Sequence, residues 1–147
     1  MIVDARGKDY AELNRVIKEN SDTEITNCLG QRFLADGTSG KRVKITGTAG
    51  NALAAYLNGS RVEVFGNAQD ALGDTMNDGT VIIHGSAQDA AGYAMRGGSI
   101  YIEKDVGYRA GIHMKAYMDK IPVIVVGGAT GSFLGEYQAG GYIIVLG

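Results

Sequence analysis

Asn51, Asp70 and Asp89 stand 19 residues apart, each inside a variant of one phrase: Ala49-Gly-Asn-Ala52, Ala68-Gln-Asp-Ala71 and Ala87-Gln-Asp-Ala90. If the chain between them closes on itself, the three oxygen-bearing side chains stack into a column. A divalent cation takes oxygen ligands of this kind. The same oxygens also accept from backbone N–H groups at the start of a turn. Two exposed carboxylates about 4.8 Å apart repel by only about 1 kcal/mol in water. The column therefore needs no metal to exist, and capping is its expected role.

Other residues with chemical potential are weaker candidates. Gly127–Glu136, "GGATGSFLGE", has the glycines of a phosphate loop. It lacks the Gly-Lys-Ser/Thr ending whose lysine reaches the β and γ phosphates. His84 and His113 have no cysteine or histidine at zinc-ligand spacing. Cys28 is the single cysteine and reads as a buried structural thiol. Arg96, Arg109, Lys115 and Lys120 gather around "GYRAGIHMKAYMDK" and form a candidate contact site for a partner or an anion. No Ser/His/Asp set or isolated acid pair marks catalysis, so no catalytic, cofactor-binding or metal-binding residue is assigned to this chain.

Composition bounds what can surround these residues. A chain of 147 residues fits one domain and can bury roughly 70% of its unfolded surface. One cysteine forbids an internal disulfide and fits a reducing compartment. With 14 basic against 16 acidic residues, nothing drives the chain toward nucleic acid or an anionic membrane. Its longest strongly apolar run, Pro122 to Val126, is far shorter than the ~20 residues of a membrane span. The start, "MIVDARGKDY", has no apolar signal core, so a soluble cytoplasmic protein is expected. Glycine is the outlier, with 23 residues against a usual share of about 7%.

Those glycines keep time with strands. Apolar-x-apolar segments begin at Val43, Val62, Val81, Ile100, Val123 and Ile143, at intervals of 19, 19, 19, 23 and 20 residues. Gly47, Gly66, Gly85, Gly127 and Gly147 follow the second apolar residue by two, with Lys104 in that place in the fourth copy. Seven residues on come Ala54, Gly73, Gly92 and Gly111, with Gly135 eight on. Gly59, Gly79, Gly98 and Gly141 form a third column, and Thr26-x-Cys28-x-Gly30 followed by Gly37 is a degenerate earlier copy. Small apolar residues (Ala49, Ala68, Ala87, Val106) and larger ones (Leu57, Met76, Met95, Met114) repeat in step.

A fixed period of this size signals a stacked repeat. Nineteen residues at about 3.3 Å each give a contour of about 60 Å, enough for one loop around a thin core. Stacked loops place like residues in parallel strands, and glycine supplies the tight corners without a Cβ. The reading is all-β: a single-stranded right-handed parallel β-helix of about six turns, the hand taken from the rule for parallel crossovers. A βαβ alternative needs longer helices than "GTAGNALAAYLNGS" allows, although "DALGDTM" has room for one helical turn. Before the repeat, Gly7–Asn20 places Tyr10, Leu13, Val16 and Ile17 at helical spacing, with Asp9 or an earlier residue as its cap. Residues 1–22 are thus expected to be a strand/helix cap over the first rung, or a partner-docking helix. Residues 23–147 form the β-helix domain.

The frame Gly-x6-Gly-x5-Gly, as in Gly66, Gly73 and Gly79 or Gly85, Gly92 and Gly98, resembles the GXGXG domain family. "ITNCLGQRFLADG" and "GSIYIEKDVGYRAGIHM" carry the same resemblance, which extends over about Thr23 to Gly147. The family includes the C-terminal domain of the glutamate synthase large subunit and the C subunit of formylmethanofuran dehydrogenase. The resemblance implies a right-handed β-helix acting as a scaffold without catalytic residues. It implies a split glutamate synthase, making glutamate from glutamine, 2-oxoglutarate and a reductant. The expected partners are amidotransferase and FMN-binding synthase subunits, with FMN and the iron–sulfur cluster on those partners and no cofactor in this chain. The alternatives are a scaffold in a formylmethanofuran-dehydrogenase-like complex and a stand-alone β-helix transferase. Hexapeptide acyltransferases use 18-residue coils built from sixes, which the 19-residue period does not match. Exposed rung ends allow homo-oligomers when the chain is isolated.

Overall fold

The computed structural model describes residues 1–147. Eight parallel strands form one sheet in chain order: β1 (Ile2–Asp4), β2 (Asp22–Leu29), β3 (Arg42–Ala49), β4 (Asn58–Ala68), β5 (Asp78–Ile83), β6 (Ser99–Ile102), β7 (Val123–Val126) and β8 (Tyr142–Val145). Each strand pairs with the next, so the chain makes one circuit per strand and stacks as a β-solenoid. The all-β parallel β-helix read from the sequence is the observed architecture, with eight strands where about six were expected. Beyond the six apolar segments stand β2, at the degenerate early copy, and β1.

Two parts of the expected register move. The fifth apolar segment is displaced by one residue: Ile124 pairs with Ile100 and Val126 with Ile102, so Val123 and Val125 face outward. "PVIVV" is apolar throughout and gives alternation no phase. The intervals become 24 residues from Ile100 to Ile124 and 19 from Ile124 to Ile143. Gly128, in place of Gly127, then aligns with Lys104, and Gly135 follows it by seven residues as in the other turns. The early copy moves further. Thr23 and Ile25, not Thr26 and Cys28, pair with Val43 and Ile45. The chain bulges between Ile25 and Cys28, leaving Cys28 opposite Gly47.

Each of the six turns from β2 to β8 contains the same left-handed arc opposite the sheet. Ala52, Ala54 and Tyr56 have φ of 58°, 59° and 57°, and Ala71, Gly73 and Thr75 have 60°, 66° and 52°. The stretch "DALGDTM", with room for one helical turn, forms this arc instead. Its N–H groups alternate between neighbours along the stack: Ala52 donates to Asp70 O, Ala54 to Leu34 O and Tyr56 to Asp74 O. The arc thus continues the hydrogen bonding between turns where no strand exists, which satisfies its backbone polar groups. Between sheet and arc lies one apolar core. Leu57, Met76, Met95 and Met114 form a fully buried column within it.

Between β1 and β2 a helix replaces the arc. α1 (Tyr10–Glu19) starts at Asp9, whose carboxylate accepts from the Glu12 N–H at 2.9 Å. Leu13 and Ile17 are fully buried in the core. The Asn14 amide donates to Phe33 O and accepts from Ala35 N–H, each at 2.9 Å, and so takes the place of a neighbouring turn's backbone. Through Leu13 and Ile17 the helix packs into the same core cluster as the turns that follow it. No helix is long and apolar enough to cross a membrane.

Candidate functional site

The column that opened the sequence analysis is a hydrogen-bonded ladder. Asn51 Oδ1 accepts from Asp70 N–H at 3.0 Å, Asp70 Oδ1 from Asp89 N–H at 2.9 Å, and Asp89 Oδ1 from Tyr108 N–H at 2.8 Å. Each side chain thereby ties its turn to the next. A second ladder runs beside it: Asn67 Oδ1 accepts from Ser86 N–H, Ser86 Oγ from Asp105 N–H, and Asp105 Oδ1 from Ala129 N–H. Sequence reasoning missed this one. Its members differ in type, and their shared ability to accept at the 19-residue step was the available signal.

The ladders explain part of the glycine pattern. A Cβ at Gly85, Gly107 or Gly128 would strike Asn67 Oδ1, Asp89 Oδ1 or Asp105 Oδ1 respectively. At Gly47, Gly66 and Gly127 it would strike a carbonyl oxygen of the preceding turn (Cys28, Gly47 and Glu103). Gly79, Gly98 and Gly141 similarly face the backbone oxygens of Ser60, Gly79 and Pro122. Gly73, Gly92, Gly111 and Gly135 meet isoleucine side chains instead and share their left-handed column with Ala35 and Ala54.

The phosphate-loop lookalike is engaged in stacking. Gly127 N–H donates to Ile102 O, Gly128 to Lys104 O, Ala129 to Asp105 Oδ1, and Gly135 to Ala110 O. These donors point at the neighbouring turn. The lone Cys28 is buried, and that burial pushes its thiol pKa up.

The histidines stand apart. His84 Nε2 lies 2.7 Å from Glu63 and Nδ1 3.3 Å from Glu103, with the ring stacked on Phe65. The Glu63 carboxylate, assisted by Glu103, raises the pKa of this imidazole. His113 stacks on Tyr137 and meets the edge of Tyr93. The four basic residues also divide. Arg96 lies over Tyr117, Arg109 over Phe133, Lys120 reaches Asp78 at 3.4 Å, and Lys115 is exposed.

Asp36 is an acid held well above its ordinary pKa. Burial pushes its pKa up to about 7, with a further upward push from Asp74, while the Ala55 N–H donated to Oδ1 opposes the change. Because the folded value exceeds the ordinary one, the native state holds a proton that the unfolded chain has lost. Stability from this group is therefore complete below about pH 4 and falls as pH rises to about 7. Asp36→Asn keeps the Oδ1 acceptor and removes the charge. It is expected to stabilise the protein by about 1–2 kcal/mol at pH 8 and by almost nothing at pH 4, after allowance for solvent screening. Thermal unfolding of both proteins at the two pH values checks this.

All eight tyrosines are surface residues, with exposures from 37% at Tyr10 to 69% at Tyr137. On the outer face of the sheet, Glu24, Lys44 and Glu63 give way in the same column to Ile82, Tyr101, Val125 and Ile144. This column is thus charged in the early turns and apolar in the later ones.

A glycine-framed parallel solenoid whose turns are tied by side-chain ladders defines the class of protein. The chain belongs to the GXGXG motif family, whose model matches residues 8–147. It is 52% identical to an uncharacterized protein of Methanocaldococcus jannaschii over 155 aligned positions, covering 99% of this chain. The chain spans 59% of the length of that relative. No solved structure matches it.

Proposed function

We propose that this chain is a non-catalytic scaffold of a split glutamate-synthase-like complex. In this role it docks an amidotransferase subunit that releases ammonia from glutamine. It also docks an FMN- and iron–sulfur-bearing synthase subunit that uses the ammonia and a reductant to convert 2-oxoglutarate to glutamate. The observation that carries the reading is the placement of all eight tyrosines on the surface. Tyrosine is enriched at protein interfaces because it offers a large apolar body with a polar tip. Membership of the GXGXG family supports the choice of complex, through the family's resemblance to the glutamate synthase C-terminal domain. The inward side chains fill the core, and the ladder oxygens and glycine-rich N–H groups hold turns together. Recognition therefore falls to the outer surface.

Co-purification from native cells tests the proposal. An amidotransferase and an FMN-binding polypeptide are expected to accompany the chain. Recovery of a molybdenum or tungsten protein in their place would overturn it in favour of a formylmethanofuran-dehydrogenase-like assembly.

A further inference from the structure

The longest step of the stack contains a projecting hairpin. The step from Ile100 to Ile124 is five residues longer than the 19-residue step that precedes it. Tyr117 and Lys120 form an antiparallel bridge, with each N–H donating to the other's carbonyl at 3.0 Å. Met118 and Asp119 lie at the tip. Met118 is 87% exposed and has φ of +56°. A left-handed backbone costs a non-glycine residue roughly 1–2 kcal/mol. Glycine would relieve that strain, yet an exposed methionine occupies the position.

The base of the hairpin is fixed to the solenoid. Lys120 Nζ lies 3.4 Å from Asp78, and the Arg96 guanidinium lies over the Tyr117 ring at 5.6 Å. Gly97 lacks the Cβ that would press on Asn77 O and on Lys120 Cβ. Ile121 adds a second exposed apolar side chain, at 53%. Two adjacent cations, Arg96 and Lys115, have no acidic partner among the ion pairs. Arg96 Nε is buried without an acceptor. Their N–H groups donate to Met76 O and Met95 O, which places them in the same column one turn apart.

We infer that the Tyr117–Lys120 hairpin is a docking knob for a partner protein. The matching surface has an apolar socket for Met118 and Ile121, with carboxylates beside it to meet Arg96 and Lys115. Methionine, tyrosine and arginine are the residue types enriched at such contacts, and hot spots combine an apolar anchor with flanking charge. Asp119 at the tip disfavours an anionic lipid surface. The inference rests on the scaffold reading above and specifies one surface and partner chemistry for it.

Met118→Gly separates docking from folding. It relieves the left-handed strain, so the Tm is expected to stay the same or rise slightly. In a native pull-down, recovery of the FMN-binding polypeptide or the amidotransferase should fall at least tenfold, and Lys115→Glu should reduce it as well. Wild-type and Met118→Gly recovering those subunits equally would overturn the knob and leave the scaffold reading intact. Other proteins captured by wild type, lost with both variants and binding as purified components would support the knob and overturn the glutamate-synthase reading. Capture of no protein by either form would overturn both. Hairpin-dependent co-sedimentation with phosphatidylserine vesicles and no protein capture would also overturn the knob.

Discussion

Gly66→Ala is expected to cost about 4 kcal/mol or more, enough to prevent cooperative folding of a chain this size. Gly66 has φ of +151°, and an added Cβ would run into the carbonyl oxygen of Gly47 in the preceding turn. That obstacle is backbone in a parallel ladder and cannot swing aside. The control lies in another glycine column. Gly73 has φ of +66°, and its Cβ would meet the Ile100 Cδ1 atom at 2.6 Å, the movable end of a side chain. Ala35 and Ala54 already occupy equivalent positions at φ of 63° and 59°. Gly73→Ala is therefore expected to fold and to lose about 1–2 kcal/mol. Urea unfolding of the two variants gives the comparison. Equal losses would show that φ alone, rather than approach of the preceding turn, sets the need for glycine.

Leu13→Ala is expected to lose about 2–4 kcal/mol at the first turns. Leu13 is fully buried beneath α1, within the same core cluster as Ile17 and Ile25. In a solenoid each turn touches its neighbours only, so damage to the cap stays local until the array melts. Hydrogen exchange should accelerate first at Ala5 N–H, bonded to Thr26 O, at Glu24 N–H, bonded to Met1 O, and at Ala35 N–H, held by Asn14. His84 N–H, bonded to Val64 O in the middle of the stack, should keep its protection longest. Simultaneous loss at all four amides would contradict the nearest-neighbour account.

The period was legible wherever polar residues alternate with apolar ones, as in Val43-Lys-Ile45 and Val62-Glu-Val64. It lost phase in "PVIVV", where both faces are apolar, and at β2, where an inward Thr23 replaces the usual valine or isoleucine. The left-handed arcs were hidden because Ala52, Tyr56 and Thr75 take a backbone conformation their side chains do not favour. Stacking hydrogen bonds hold them there. For the site, the column of Asn51, Asp70 and Asp89 was visible because Asp repeats in an identical phrase, and capping was the expected use of its oxygens. The neighbouring Asn67, Ser86 and Asp105 share only acceptor chemistry. The four basic residues read as one patch in sequence, yet Arg109 stacks on Phe133 while Arg96 and Lys120 fix the hairpin.

These features separate a self-fastening interior from an exposed aromatic and apolar exterior. Glycines and ladder oxygens set the turn-to-turn spacing, and the apolar columns fill the space between sheet and arc. The exposed tyrosines, the apolar column of Ile82, Tyr101, Val125 and Ile144, and the hairpin at Met118 face outward. The most direct test of the proposed scaffold role is to tag the chain at its chromosomal locus, purify it under native conditions, and measure flavin and iron across the eluted peak. The account predicts FMN and iron in constant ratio to the chain, carried by a synthase polypeptide that travels with an amidotransferase. A chain eluting free of flavin and of both polypeptides would contradict it.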